Sequence, residues 1–348
     1  MCGFLMVVAI RRAFAIPGIW FVTGGLSCCF AGKETAISTS DPVVYDVRMT
    51  TTLKIPGATK VERLEVKHAL PDRRTWSLFT GGAGATDIQF SSGGRMESVA
   101  DGKAHHIRWE TRDRLRSGEV HRFLSQFQIR SVQRVLLPGR AGNSWEEIGA
   151  IPATFKLSSE GGRDTTHPTL KKRAELIRKG ASPYDAIIEF SKWIENYMQD
   201  DASVNFTTSN VKAIMIQQAG HSGHRAKLFS ELCGVVGIPV RTIWGFNLQE
   251  EDGRDSLHRI RADYTNSYTW VEVYLPEAGW VEVDPGGEGN PFSIPPNFIR
   301  NNSEFPNYSI LVRANGKERQ PEWVTREKGG FSSDFSVEHI VEFRATAE

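Results

Sequence analysis

The chain is nearly without usable cysteine. Of its four cysteines, Cys2, Cys28 and Cys29 lie at or before residue 29, and Cys233 stands alone in the remainder. If the first 31 residues are removed as a leader, no intramolecular disulfide and no cysteine-based metal site can form. An excess of charge of either sign is also missing, since Lys and Arg number 42, Asp and Glu 41, and the net charge is +1 over 348 residues. That balance gives no electrostatic case for nucleic acid or for an anionic membrane surface. No repeat or long low-complexity segment is present, and beyond the N-terminal stretch no run is apolar enough to span a bilayer. What remains, 40% apolar and 24% charged residues, is the composition of a globular protein long enough for two ordinary cores.

The N-terminus reads as a targeting segment. Arg11-Arg12 precede an apolar run from Ala13 to Ala31, and Cys29-Phe30-Ala31 before Gly32 fits small-x-small cleavage, which predicts a signal peptide over 1–31. The paired arginines also resemble a twin-arginine signal, and Cys28 or Cys29 after Leu26-Ser27 leaves a lipoprotein reading open. Pro17 and three glycines interrupt the run, which argues against a retained anchor. The expectation is an exported protein, periplasmic or extracellular, without stable membrane insertion after cleavage.

From Asp41 to Lys156 the apolar residues alternate with polar ones. Val43, Tyr45, Val47 and Met49 share one face, Leu64 and Val66 another, and Phe123, Phe127 and Ile129 a third. Pro56-Gly57, Gly93-Gly94 and Pro138-Gly139 punctuate these runs, so residues 32–157 are expected to form an antiparallel β-sandwich. The polar, glycine-rich stretch within 158–168 reads as a linker. A helix is predicted over Leu170–Lys179, ending at Gly180. Ser182-Pro183-Tyr184-Asp185 reads as the N-cap of the next helix, and a short helix follows from Asn210 to Gln218. Tyr308–Arg313 and Val337–Phe343, within 301–348, read as strands closing the C-terminal part.

The most informative stretch is His221 to Pro285. Leu228, Phe229, Leu232, Val235 and Val236 recur at helical spacing after Ser222, a good N-cap, and Gly237-Ile238-Pro239 stop the helix. Val240–Phe246, Tyr268–Leu275 and Gly279–Asp284 then read as strands, the last two joined in a hairpin. Leu232-Cys233, Gly237-Ile238-Pro239-Val240-Arg241, Trp270-Val271-Glu272-Val273, Gly279-Trp280 and Asp284-Pro285 resemble, in order and spacing, the core of the transglutaminase-like superfamily, a papain-like fold. The resemblance runs from about Pro183 to Pro285. It implies an α+β architecture in which helices pack on an antiparallel sheet, occupying residues 169–300 behind the β-sandwich domain.

The resemblance also implies a catalytic triad, and here the chain departs from it. The family's nucleophilic cysteine stands fifteen positions before the glycine of the turn, where this chain has Ser222. Its histidine stands two before the strand tryptophan, where this chain has Tyr268. The aspartate is kept as Asp284. A serine hydroxyl needs an adjacent base, and a phenol of pKa about 10 is a poor one. Cys233 reads as a small core residue in the helix's last turns. His221 is the better placed of the two histidines flanking Ser222, with His224 beside it, and His258 lies in a polar loop from Asn247 to Ser267. A zinc site from His221, His224 and Asp284 lacks recognised ligand spacing. Tyr268 and Asp284 can share a hydrogen bond, and Trp244, Trp270 and Trp280 are either core or the walls of a ligand groove.

The leading expectation is therefore an inactive transglutaminase-like protein without cofactor or metal, binding a peptide, protein or cell-wall peptide through the cleft or acting as a scaffold. The alternatives are a hydrolase or acyltransferase of amide bonds with Ser222 as nucleophile, and a purely structural core with contacts made by the β-domain.

Overall fold

The computed structural model describes residues 36–54, 61–71, 77–79, 95–98, 105–111, 120–138, 144–151, 167–201, 204, 211–248, 258–261, 267–287, 289–301, 308–314, 316–319 and 336–347. The signal peptide over 1–31 and positions 158–166 of the expected linker lie outside the described residues. His167 and Pro168, the expected linker's end, open a helix instead. Ala36–Glu348 forms one compact unit.

Two five-stranded sheets use the alternating segments. One has the order β12 (His258–Arg261), β19 (Ser336–Ala347), β2 (Val43–Lys54), β7 (Val120–Ser131), β4 (Ser77–Phe79). The other runs β18 (Lys317–Arg319), β17 (Tyr308–Ala314), β3 (Val61–Ala69), β6 (His105–Thr111), β5 (Arg95–Ser98). Met49, Leu53, Leu64, Val66, Ile107, Ile129, Ile310 and Phe343 from both sheets share one buried cluster. The period of two places one face of β2, β3, β6, β7, β17 and β19 there and turns most of their charged residues to the other.

The last two long strands correct the expectation that they close the core. β19 pairs with β2 along its whole length, from Ser336↔Lys54 to Ala347↔Val43, and β17 pairs with β3. Alternating apolar residues at Val337, Val341 and Phe343 predicted the strands, but strand alternation carries no information about a partner far away in sequence. His258 is likewise corrected. It opens a strand whose register partner is Phe343, so Asn247–Ser267 is not one continuous loop.

The core sheet has the order β14 (Gly279–Val283), β13 (Ser267–Leu275), β11 (Val240–Asn247), β16 (Phe298–Arg300). Helices α1 (Trp145–Ala150), α2 (Pro168–Gly180), α3 (Pro183–Tyr197), α4 (Val211–Gln217) and α5 (Ser222–Val236) complete this region, and all five contribute to the cluster on one sheet face. Ser182 Oγ accepts from Asp185 N–H at 3.1 Å and starts α3 as expected. Gly237, with φ +84, ends α5 in the left-handed conformation that glycine adopts without steric cost. Val271, Val273 and Leu275 face α5 and its neighbours. Tyr268, Trp270 and Glu272 alternate to the other face.

That other face is held by ions. Glu272 pairs with Arg241 at 2.5 Å and with Arg300; Glu282 pairs with Arg134 at 2.7 Å and accepts from the Trp270 indole N–H at 3.3 Å. Burial pushes the Glu272 carboxyl up, but Arg300 and Arg241 outweigh it and hold it below the ordinary range. Arg134 belongs to β8 (Arg134–Leu136), which joins β1 (Ile37–Thr39) and β15 (Ser293–Ile294) in a small sheet. The remaining pair, β9 (Gln199–Asp200) and β10 (Ala219–Gly220), is parallel and brings both ends of the α4 excursion to the start of α5.

Gly245 marks the tightest contact in the core sheet. A Cβ there would lie 2.3 Å from the Ile299 carbonyl oxygen and 2.4 Å from the Trp270 ring. Gly245→Ala should therefore destabilise the protein by about 3 kcal/mol. Gly149→Ala, at a site with nothing within 4 Å, is the control. Urea midpoints that move equally in the two variants would show that the close approach is not a constraint.

Candidate active site

The site forms where three elements end together. α5 begins at Ser222, β14 ends at Val283 one residue before Asp284, and β13 begins beside Tyr268. Val283 is paired with Val271. Two residues back along β13, the Thr269 N–H therefore reaches a place where β14 no longer runs. Ser222 Oγ accepts it at 3.1 Å. This corrects the reading of Ser222 as N-cap: its hydroxyl is given to the sheet, and His221 caps the helix instead.

The cap engages both neighbouring histidines. His221 Nδ1 accepts from Gly223 N–H at 3.1 Å, and His224 Nδ1 accepts from His221 N–H at 3.2 Å. An imidazole that accepts at Nδ1 carries its proton on Nε2, so the basic lone pair of each ring is occupied by a backbone donor. Burial, reinforced by His224, lowers the His221 pKa to about 4. Neither ring is free to take a proton from Ser222, and neither retains Nδ1 for the zinc arrangement weighed from the sequence.

Tyr268 and Asp284 meet as expected. The phenol lies 3.1 Å from Oδ1 and 3.0 Å from Oδ2 and donates to the carboxylate. Extending the β13–β14 register by one residue sets Asp284 opposite Trp270, with Tyr268 as its diagonal neighbour on the same face. Gly286 N–H donates to Asp284 Oδ1 at 3.1 Å. Burial still dominates and pushes the carboxyl up to about 6 against the lowering effects of Gly286, Tyr268 and Arg225. Burial and then the Asp284 charge drive the phenol far above its ordinary value. At neutral pH the pair is thus a neutral donor on a carboxylate, with no base directed at Ser222.

Residues the sequence reading missed complete the surroundings. Arg225 lies one helical turn after Ser222, which the i, i+3 spacing could have signalled. Its Nη1 donates to Gly286 O at 3.1 Å, its Nη2 donates to Met198 O at 3.3 Å, and it pairs with Asp200 at 3.0 Å. Asp200 carries no local sequence signal, because the parallel β9–β10 bridge brings it there.

The three tryptophans have separate fates. Trp244 is half-buried and paired in register with Thr269, on the Ser222 side of the sheet. Trp270, one register step away at Ile243, is fully buried among Ile243, Ile294 and Phe298, so it is core and not groove. Trp280 stacks on the Arg241 guanidinium at 4.1 Å and lines a cleft with Arg134, Glu272 and Phe292. It stands four residues from Asp284 along β14 and its extension, about 13 Å at the rise of a strand. It is not a wall of this site. Cys233 is fully buried, and burial pushes its thiol well up, as suits a core residue.

Helices on an antiparallel sheet, with a helix N-terminus set against two strand ends, define a papain-like core. Residues 171–285 match the transglutaminase-like superfamily and carry its core domain. A candidate cysteine protease from Cytophaga hutchinsonii superposes with a TM-score of 0.55 at 12% identity, covering 89% of this chain and all of that one, which shows the shared fold. The periplasmic domain of TgpA from Pseudomonas aeruginosa aligns at a TM-score of 0.32 and 18% identity over 71% of this chain and 90% of that one. That likeness is too low to carry an argument. The uncharacterized protein YebA of Bacillus subtilis is 26% identical over 32% of this chain; the match spans only 17% of its own length.

The raised carboxyl gives a pH test. A folded value of about 6 above the ordinary 3.8 means that the contribution of Asp284 to stability is complete below pH 4 and is lost as pH rises through 6. Asp284→Asn, which stays neutral, should gain on the unmutated protein in melting temperature between pH 4 and pH 7. A difference independent of pH would show that the carboxyl is not raised.

Proposed function

We propose that this chain is an exported, catalytically inactive transglutaminase-like protein that binds a peptide, a protein or a cell-wall peptide beside Ser222. The observation that carries this reading is the use made of every group that catalysis would need. Ser222 Oγ accepts from Thr269 N–H, both nearby imidazoles accept from backbone N–H groups, and Tyr268 donates to Asp284. Cysteine chemistry of the kind named for the Cytophaga protein needs a thiolate beside a base, and this chain offers a hydroxyl that accepts from a backbone N–H. Loss of two members of such a unit removes most of its rate advantage. The half-buried Trp244, with Ser222 and His221 close by in the fold, offers an aromatic face and polar groups to an extended ligand. Export rests on the N-terminal leader pattern. Among the described residues no helix is long and apolar enough to cross a membrane.

The test pairs chemistry with binding. A mixed peptide pool incubated with the protein and with Ser222→Ala should give the same mass spectrum, with no cleaved or cross-linked species dependent on Ser222. Photo-crosslinking of that pool should survive Ser222→Ala and fall about tenfold in Ser222→Trp and Trp244→Ala. Products made only by the unmutated protein would establish instead an amide hydrolase or acyltransferase using Ser222. Undiminished capture by Ser222→Trp would defeat the cleft reading.

A further inference from the structure

A polar chain crosses the apolar space between the two five-stranded sheets, away from the site. His68 on β3 bonds Ser125 Oγ on β7 through Nδ1 at 2.8 Å and Thr51 Oγ1 on β2 through Nε2 at 2.7 Å. The same Thr51 oxygen bonds His339 Nδ1 on β19 at 2.6 Å. All four residues are buried, none more than 3% exposed. His68 presents its edge to Trp109 at 4.7 Å, and His339 stacks on Tyr308 at 4.3 Å. The contacts of His68 therefore join one sheet to the other.

The arrangement tolerates neutral rings and resists charged ones. Thr51 has one hydroxyl proton, so in the neutral state one imidazole donates to it and the other accepts from it. With both rings protonated, both donate to the Thr51 oxygen. The Thr51 O–H is then a donor without an acceptor, and His339 must carry a proton on Nε2, for which no partner is present among the described residues. The ring centroids are 5.3 Å apart, so the two charges repel. Among the described side chains, no carboxylate faces them. The other titratable groups on the inner faces, among the described side chains, are His121 of β7, which register places beside Leu53, and the phenols of Tyr45 and Tyr308; register also sets His258 of β12 opposite Phe343. Asp46, Arg48, Arg63, Glu65, Lys67, Arg108, Glu110, Arg122, Arg130, Arg313, Glu338, Glu342 and Arg344 alternate to the outer faces.

We propose that the Ser125–His68–Thr51–His339 chain is an acid-sensitive latch, holding the two sheets together while both imidazoles are neutral and releasing them on uptake of two protons. Burial lowers both imidazole pKa values, that of His68 well below 6.5 with His339 adding to the effect, and that of His339 to about 3. The folded values lie below the unfolded ones. The latch is therefore at full strength above pH 6.5 and weakens as pH falls toward 3.

The test is hydrogen exchange of the full chain, read by peptide mass spectrometry between pH 6 and 4.5 and corrected for the intrinsic pH dependence of exchange. Peptides covering β3 and β19 should open at least tenfold more readily at pH 4.5 than at pH 6, with a slope above one proton, while α5 stays protected. A slope of one proton or fewer, or opening of α5 together with the sheets, overturns the proposal. His68→Gln and His339→Gln keep a hydrogen-bonding amide that does not titrate, and each should reduce the slope by about one proton. A slope unchanged in both also overturns it. The slope of the unmutated protein decides the question if either variant fails to fold.

Discussion

Two carboxylates on the same face of the core sheet, Glu272 buried and Glu282 half-buried, set the terms for the rest of the molecule. Glu272 and Glu282 lie opposite each other in the β13–β14 register, and arginines from elsewhere reach each of them. Arg241 comes from the neighbouring strand, Arg300 from the strand beyond, and Arg134 from β8 of the small sheet. An unpaired charge at such depth costs about 3–5 kcal/mol, a large part of the 5–15 kcal/mol that holds a typical domain together. A well-packed apolar replacement could be as stable, so the benefit of the ions is specification. β8, β11, β13, β14 and β16 must all be correctly placed before all of these charges are paired.

That frame places the site. With β13 and β14 fixed in register, Asp284 falls beside Tyr268, and the Thr269 N–H falls where only the start of α5 can satisfy it. Ser222 then serves as a joint between helix and sheet. Ser222 Oγ is an acceptor in the backbone network. The Asp284 carboxylate is the acceptor of a phenol.

Much of this was legible in the sequence because it depended on local signals. Helical spacing from Leu228 to Val236 with a Gly-Ile-Pro stop gave α5, alternation gave β2, β3, β7 and β13, and motif spacing singled out Ser222, Tyr268 and Asp284. The errors share one cause. Ser222 caps helices well, but the competing demand of Thr269 lies 47 positions away. Trp244 and Trp270 look equivalent in a hydrophobic pattern, yet they sit one register step apart and so on opposite faces. The strands near the C-terminus were visible as strands, whereas their partners depend on contacts that no window of sequence contains.

The pairing of β19 with β2 has a consequence for the order of assembly. The first long strand finds one of its two neighbours only when residues 336–347 arrive, after nearly all of the chain described here. Closing so large a loop carries an entropic cost before any contact rewards it, and topologies of this kind fold slowly. During that interval β2 presents an unpaired backbone edge with an apolar face, the form most prone to pair with another chain. The protein should therefore be least tolerant of crowding by its own copies while it matures, and most dependent then on being kept apart from them. β19 acts as the closure of a sheet begun at β2.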